Sequence, residues 1–403
     1  MAMHGTDFVV VGGGIVGLAI ARAIVLRQPG CTVEVLEKEE AVGLHASGRN
    51  SGVLHAGFYY SPDSLKAQLT RDGNQKLREF CHEHYVPVHS CGKVVVASEE
   101  SQLPALDKLA SRADANGVEV DVVTSKELSQ LEPLARTIDR ALWSPNTGVA
   151  DPKAVIDAMQ DDLVARGATI GLKTAVQSRP GGVLETADGR LLSVGHVVNA
   201  SGLYADRLAR DFGFCDDYVV LPFKGLYWYG TWPTGRLKRH VYPVPDPRNP
   251  FLGVHFTVTH QGGAKVGPTA IPIASRENYT MFHGLRWSEV QEVAVNLPRF
   301  LLSDKHDSWQ LMRAEMPKYL QRNLVKAARA LVPSARSSDF GIRGKPGIRA
   351  QLLDKESGQL EMDFIVRGDE KSTHVLNAVS PAWTSSLSFA EFVVDRMVAS
   401  GAI

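Results

Sequence analysis

The stretch Asp7-Phe8-Val9-Val10-Val11-Gly12-Gly13-Gly14-Ile15-Val16-Gly17 decides the fold of this 403-residue chain. Its β-branched run predicts a buried parallel strand, and the apolar spacing of residues 15–26 predicts a helix directly after the glycines. The glycines satisfy the G-x-G-x-x-G pattern. In that pattern the first permits a tight turn, the second lets the backbone approach a pyrophosphate, and the third lets the helix pack against the strand. The stretch therefore predicts a dinucleotide site at the start of the helix.

A second apolar strand is predicted over residues 32–36, and it ends at Glu37, 20 residues after Gly17. A carboxylate at that distance is placed to accept a hydrogen bond from a ribose hydroxyl, and it disfavours a ligand with a 2′-phosphate. The strand, the helix, the second strand and the acidic residue at its end all occur in the order and at the spacing of the motif. Together they favour a Rossmann βαβ unit over an ordinary glycine turn.

The chain beyond this unit decides between FAD and NAD. An NAD enzyme usually continues with alternating strands and helices, whereas this chain enters a loop rich in Gly, Ser, His and Asn at residues 43–57. Much later, residues 197–202 predict a strand that ends in small residues, as expected where backbone passes close to a bound dinucleotide. These features resemble the amino-acid-oxidase class of flavoproteins, and they predict noncovalently bound FAD. The predicted FAD contacts are Gly12, Gly14, Ile15, Val16, Gly17, Glu37, Lys38, Ser47, Asn50, Ser51, Gly52, Ala200, Gly202, Gly347, Ser380, Ser385 and Ser386.

The composition is that of a globular protein, with 44% hydrophobic and 22% charged residues. Lys plus Arg equals Asp plus Glu at 44 each, which argues against nucleic acid as a partner. The widely spaced cysteines predict reduced thiols and a cytoplasmic protein, and no metal site is predicted. Residues 8–26 are apolar, but no basic residue precedes them and Arg22 interrupts them, so we predict no signal peptide or membrane span. A peripheral contact with the inner membrane stays compatible with the sequence.

The length favours two domains, and the scattered motifs indicate that the domains interleave along the chain. We predict an α/β fold in which a Rossmann-type FAD domain is joined to a substrate domain with a mixed or antiparallel sheet, as in amino-acid oxidases. The substrate domain would cover the isoalloxazine ring. The predicted FAD domain comprises residues 1–88, 147–216 and 332–403, and the predicted substrate domain comprises residues 89–146 and 217–331.

Several stretches resemble one family within this class, the L-2-hydroxyglutarate dehydrogenase/oxidase family. The most specific is Asn50-Ser51-Gly52-Val53-Leu54-His55-Ala56-Gly57-Phe58-Tyr59-Tyr60. The others, in the family's order, are residues 64–67, 251–257, 347–351, 377–381 and 384–387. Arg49 and Trp383 depart from the residues usual in the family, and the stretch around Lys224 matches it only loosely. These departures would alter the pocket wall.

The resemblance implies oxidation of L-2-hydroxyglutarate to 2-oxoglutarate by hydride transfer from C2 to flavin N5, with oxygen or a membrane quinone as the electron acceptor. A neutral histidine suits removal of the hydroxyl proton. We predict His255 as this base and His55 as a flavin or substrate contact. The start of the last helix, at Ser385 and Ser386, would face the N1/C2=O edge of the flavin, where charge accumulates. Candidate contacts to the small dicarboxylate substrate are the cations Arg49, Lys66, Lys224, Lys345 and Arg349 and the hydroxyl of Tyr60.

Two other interpretations remain open at this stage. An amine oxidase acting on a small amino acid or an N-methyl amino acid would share the scaffold and would need to bind only one carboxylate. A regulatory flavoprotein or NAD-binding module without turnover is the second interpretation. The polar loops that carry His55 and His255 argue against it, because a binding module has no need of two histidines near the ring.

Overall fold

The strand, helix and second strand predicted from the glycine stretch are all present in the computed structural model, which describes residues 5–179, 183–246, 249–280, 284–303 and 308–403. The first strand, Thr6–Val11, pairs in parallel with the second, Val33–Leu36. The helix between them, Ile15–Arg27, is buried on nearly all sides, which its apolar composition explains. The predicted Rossmann unit is confirmed.

The described residues form ten α-helices. None of these helices is both long and apolar enough to cross a bilayer. Numbered α1 to α10 in chain order, they are Ile15–Arg27, Leu65–Glu83, Leu103–Ala115, Ser125–Leu131, Pro152–Ala165, Ala205–Asp211, Trp287–Leu301, Ser308–Glu315, Gln321–Ala328 and Ser386–Ala399.

A six-stranded sheet extends the Rossmann unit, and its strands are parallel except for one edge strand. Helix α1 lies against this sheet between α5 and α10, where all three contribute to one apolar core. The order is β21-β22-β12-β1-β2-β9, with β1 Thr6–Val11, β2 Val33–Leu36, β9 Thr169–Gly171, β12 Val194–Asn199, β21 Ile365–Gly368 and β22 Ser372–Asn377.

A second, eight-stranded sheet is mostly antiparallel, with one parallel pair between β5 and β15. Its order is β19-β14-β17-β16-β15-β5-β7-β6. The bounds are β5 Lys93–Val96, β6 Asp121–Thr124, β7 Arg140–Ser144, β14 Trp228–Tyr229, β15 His240–Pro243, β16 His255–Val258, β17 Ala264–Gly267 and β19 Ile342–Arg343. The predicted combination of a Rossmann sheet with a mixed sheet is therefore confirmed.

Three small sheets connect these layers. They have the orders β3-β8-β4, β10-β11 and β18-β13-β20. The bounds are β3 Val53–Leu54, β4 Val88–His89, β8 Gly148–Ala150, β10 Val176–Arg179, β11 Val183–Thr186, β13 Tyr218–Gly225, β18 Ile271–Pro272 and β20 Gly347–Asp354. The pairing of β13 with β20 joins the two predicted domains, and β19 belongs by sequence to the predicted FAD domain. The domain bounds themselves stay a prediction.

Candidate active site

A cavity of about 830 Å³ lies where the glycine turn, the loop after β2 and the carboxyl ends of β12 and β22 meet. Ligands of open α/β sheets bind at such carboxyl ends. Most of the predicted FAD contacts form its wall. They are Gly12, Gly14, Ile15, Val16, Glu37, Lys38, Ser47, Asn50, Ser51, Ala200, Gly202, Gly347 and Ser380.

The glycine turn has room for backbone only. Gly12 has a φ of +113°, and a Cβ there would lie 2.5 Å from the Ala200 carbonyl oxygen. The Gly13 N–H donates to Glu37 Oε2 at 2.8 Å, which holds the carboxylate at the end of β2 beside the turn. The N-cap residue of α1, Gly14, has no side chain, the Ile15 N–H donates to Ser47 Oγ at 2.9 Å, and this end of the helix lines the cavity. These residues fit a dinucleotide pyrophosphate with its ribose near Glu37.

Four predicted FAD contacts lie outside the wall. A Cβ at Gly17 would overlap the Gly12 carbonyl, and one at Gly52 would overlap that of Ala150, so both glycines serve chain packing. Ser385 and Ser386 are fully buried, because the first turn of α10 packs onto Gly73 of α2. The wall at this point is formed by residues 378–384, so Ser385 and Ser386 are not lining residues, and the predicted orientation of the helix start toward the flavin stays a prediction.

The predicted substrate cations separate into two groups. Arg49 and Arg349 lie on the wall, whereas Lys66, Lys224, Lys345 and Tyr60 do not. Lys345 is exposed on the surface. Lys66 is buried in α2 with its Nζ 5.7 Å from the Phe364 ring. Burial lowers the pKa of Lys66 to about 8, and the nearby Asp363 carboxylate opposes that shift.

Of the two wall arginines, Arg49 is occupied by other contacts. Its Nε donates to the Leu44 carbonyl at 2.7 Å, and its guanidinium lies 4.1 Å from the Tyr279 ring centroid. Arg349 donates to the Thr269 carbonyl at 3.0 Å, and burial lowers its pKa. The cavity wall beside Arg349 also includes Tyr227.

His55 lies on the cavity wall directly after β3, and its backbone is fixed on both sides. The backbone N–H donates to Thr384 Oγ1 at 3.1 Å, and the carbonyl accepts from Asn74 Nδ2 at 3.0 Å. Neither ring nitrogen has a hydrogen-bond partner within the described parts of the chain. Burial, with the charges of Lys93 and His255, lowers the pKa of His55 to about 3. The ring is therefore neutral near pH 7, with one of its two nitrogens unprotonated.

His255 lies on β16 behind this wall. Its Nδ1 is 2.9 Å from the Gly253 carbonyl, and its ring stacks on Tyr242 with 3.8 Å between centroids. Burial lowers the pKa of His255 to about 3 as well. Tyr242 also contacts His55 in an edge arrangement with 6.5 Å between centroids, so this tyrosine contacts both histidines.

The strand register brings further polar residues to one buried face of the eight-stranded sheet. Lys93 on β5, His240 on β15, Thr257 on β16 and Lys265 on β17 follow one another across the strands. Sequence reasoning missed Lys93, Lys265 and Tyr242. The sequence does contain a signal for the two lysines, because each lies in a short strand of otherwise apolar residues. Strand side chains alternate between faces, and every position of both strands is buried, so each lysine side chain lies on a buried face.

The cations around the cavity outnumber the anions. Lys93 and Lys265 are buried and Arg349 is half-buried on the wall, and within the described residues none of them lies at ion-pair distance from a carboxylate, although Glu315 acts on Arg349 at longer range. Burial lowers the pKa of Lys93 to about 7 and that of Lys265 to about 8. Buried charges are normally paired, and this cluster therefore suits a ligand with more than one negative charge.

A separate group of side chains near the Glu37 end contains Glu39, His45 and Glu277, whose ligand atoms are close enough to hold a metal ion. The Lys38 ammonium already lies among them. Its Nζ contacts Glu39 and lies 2.7 Å from Glu277 Oε1 and 2.9 Å from His45 Nε2. The group is therefore an ion-pair network around Lys38.

Replacing Gly12 by alanine is expected to lower FAD affinity at least about tenfold, because the added Cβ meets Ala200 and the positive φ adds strain. The ratio of flavin to protein absorbance after purification measures this. Gly30→Ala is the control, since Gly30 also has a positive φ, +91°, but nothing lies within 4 Å of its Cβ position. Equal flavin content in the two variants would contradict the role of the turn.

The profile of the family described as FAD dependent oxidoreductase matches residues 7–396. The chain is therefore an FAD-dependent oxidoreductase, and FAD is its cofactor. Among solved structures, the L-alpha-glycerophosphate oxidase of Mycoplasma pneumoniae with FAD bound covers 98% of this chain and 95% of its own, with a TM-score of 0.76 and 22% identity. A glycine oxidase from Geobacillus kaustophilus gives a TM-score of 0.72 over 98% and 95%, at 20% identity. These two likenesses show the fold alone.

Curated relatives narrow the class. The L-2-hydroxyglutarate dehydrogenase of Indibacter alkaliphilus is 37% identical over 96% of this chain and 97% of its own. The mitochondrial enzymes of the same name from Caenorhabditis elegans and Homo sapiens are 36% and 34% identical, over 97% of this chain and 93% and 88% of their own. The chain belongs to the L-2-hydroxyglutarate dehydrogenase family, as its sequence motifs predicted.

Proposed function

We propose that this protein oxidises L-2-hydroxyglutarate to 2-oxoglutarate. The observation that carries the proposal is a group of three cations, the buried Lys93 and Lys265 and the wall residue Arg349, none of which lies at ion-pair distance from a carboxylate among the described residues. A substrate with two carboxylates supplies the missing negative charge. The relatives' shared name supports the same substrate.

Arg349 binds the carboxylate next to C2. Its guanidinium is on the wall and is anchored by one hydrogen bond to Thr269, which leaves the remaining N–H groups for a planar carboxylate. Tyr227, on the same wall, is within electrostatic reach of Arg349. This pair orients C2 with its hydroxyl toward the centre of the cavity.

His55 removes the hydroxyl proton as the C2 hydrogen leaves as hydride. We assign the base to His55 and not to His255, reversing the prediction from sequence, because His55 is on the wall with both ring nitrogens unoccupied among the described residues. His255 supports Tyr242 from behind. FAD, when bound, supplies the acceptor for the hydride.

Turnover with a redox dye tests the proposal. L-2-hydroxyglutarate is expected to be consumed with stoichiometric formation of 2-oxoglutarate, whereas glycine, N-methylglycine and L-proline give no turnover. Dye reduction by amino acids alone would reject the proposal in favour of an amine oxidase.

We further propose that electrons leave to an acceptor at a lipid surface, with oxygen as the alternative. Helix α7 supports this, because Trp287, Val295 and Leu302 are 74%, 59% and 76% exposed along one face, with exposed Arg286 and Arg299 beside them. Exposed indole rings and basic side chains of this kind bind the interface of anionic bilayers.

The double change Trp287→Ser and Leu302→Ser is expected to reduce co-sedimentation with anionic lipid vesicles by about fivefold or more, through lost apolar burial. The matched control changes Val122 and Ile138 to serine, which are 54% and 52% exposed near edge strand β6. Equal vesicle binding by both double variants would remove α7 from the proposal and leave oxygen as the acceptor.

A further inference from the structure

Lys93 is the least compensated charge in the described part of the protein. Its side chain is 0% exposed, and its Nζ has no hydrogen-bond partner among the described residues. Three aromatic rings surround the ammonium, with centroid distances of 4.5 Å to Phe58, 4.4 Å to Tyr59 and 5.1 Å to Tyr242. Cation–π contacts offset only part of the cost of removing an ammonium from water.

The side chain beside Lys93 in the register, His240, is not its partner. His240 Nδ1 accepts from the Val258 N–H at 3.1 Å, so Nε2 carries the proton and faces Cys91 Sγ at 3.2 Å. Both ring nitrogens are therefore occupied, and the ring is neutral. Among the described residues, neither β5 nor β15 supplies a group that neutralises the Lys93 ammonium.

Three buried hydroxyl groups lie on the same face of the sheet or in the rings around Lys93. Tyr59 Oη has no hydrogen-bond partner within the described residues, and Tyr242 Oη and Thr257 Oγ1 interact only with each other, without hydrogen-bond geometry. A native protein leaves few buried polar atoms unsatisfied, and each such atom needs an explanation such as a water or a ligand. Three donors and one ammonium gathered in one place match an anion.

The cage of Phe58, Tyr59 and Tyr242 around Lys93 lies next to the proposed reacting groups. Tyr242 contacts Lys93 on one side, while its edge meets His55 and its face stacks on His255. Arg349 and Lys93 both act electrostatically on His255, so the arginine and the cage are close to the same histidine. A substrate with C1 at Arg349 and C2 near His55 has its distal carboxylate three carbon–carbon bonds further on.

We propose that Lys93, in its cage of Phe58, Tyr59 and Tyr242, is the specificity-determining residue for the distal carboxylate of the substrate. The Tyr59 and Tyr242 hydroxyls donate to that carboxylate, and the ammonium behind them supplies the charge. This rests on the proposed function, in that it names the site for the second charge of the same substrate. It predicts that monocarboxylate 2-hydroxy acids bind poorly.

The test uses flavin-loaded enzyme and two ligands that cannot be oxidised at C2, glutarate and pentanoate, which share a five-carbon chain and differ by one carboxylate. Binding is measured by the change in flavin absorbance. The wild-type enzyme is expected to prefer glutarate by about tenfold or more, and Lys93→Met is expected to lose most of that preference. Lys93→Gln serves as a second variant should the methionine variant fail to retain flavin.

Thermal stability separates this role from a structural one. Lys93→Met removes a buried charge that has no partner among the described residues, so its melting temperature is expected to rise while the glutarate preference falls. The matched control is Lys66→Met, which also removes a buried lysine but leaves Asp363 without its cation. That variant is expected to melt lower and to keep the glutarate preference.

The outcomes distinguish this inference from the proposed function. A glutarate preference that Lys93→Met leaves at the wild-type level overturns the inference, even if L-2-hydroxyglutarate is turned over. A preference that depends on Lys93 supports it, even if the enzyme proves to oxidise a different dicarboxylate. A wild-type enzyme that binds pentanoate as tightly as glutarate also overturns it.

Discussion

Replacing Arg349 by methionine is expected to lower kcat/KM for L-2-hydroxyglutarate by about 10² to 10⁴-fold, since removing one member of a buried charge pair costs about 3–5 kcal/mol. Arg349 lies on the cavity wall with a single carbonyl hydrogen bond, so most of its N–H groups remain for the proposed substrate. Both kcat and KM should worsen, because the arginine binds the substrate and orients C2.

The control for this variant is Lys345→Met, which removes a nearby cation that is exposed on the surface. It is expected to change kcat/KM by less than about twofold, the range of a surface charge. Flavin content should be the same in both variants. An Arg349→Met enzyme with wild-type kcat/KM would remove Arg349 from the site.

Replacing His55 by glutamine is expected to lower kcat by about 10² to 10⁴-fold with FAD retained, because general base catalysis contributes that much. His255→Gln should cost less, since His255 lies behind Tyr242. The reverse order of the two variants would restore His255 as the base.

The pH profile gives a second measurement on the same residue. Burial lowers the pKa of His55 to about 3, so the base stays neutral as pH falls from 7 to 5. Wild-type kcat/KM is therefore expected not to fall across that window, where an unperturbed histidine would lose its base form near pH 6.5. A decline centred near 6.5 would show that the base is a histidine with an ordinary pKa.

The cofactor half of the site could largely be predicted from sequence because its signals are local. The glycine turn, the strand before it and Glu37 lie within the first forty residues, and each needs a residue type that its neighbours explain. The position of Ser385 and Ser386 could not be predicted in this way. A helix start indicates where N–H groups are free, but its orientation depends on the packing of α10 against α2.

The substrate half depends on strand pairing, which the sequence does not reveal. Lys93, Tyr242 and His255 are separated by long stretches of chain and meet only through the register of β5, β15 and β16. The resemblance to the family indicated His55 and His255 but neither their order from the cavity nor the lysine behind them. Lys345 shows the converse, because it lies two residues before a family-like stretch yet is exposed to solvent.

The most direct test of the account is reduction of the bound flavin in the absence of oxygen. L-2-hydroxyglutarate is expected to bleach the visible absorption band of the oxidised flavin in the purified enzyme, with 2-oxoglutarate formed in equal amount. The D-enantiomer and a panel of amino and N-methyl amino acids should leave the band unchanged. Bleaching by an amino acid but not by L-2-hydroxyglutarate would contradict the proposed reaction while leaving the fold and the cofactor in place.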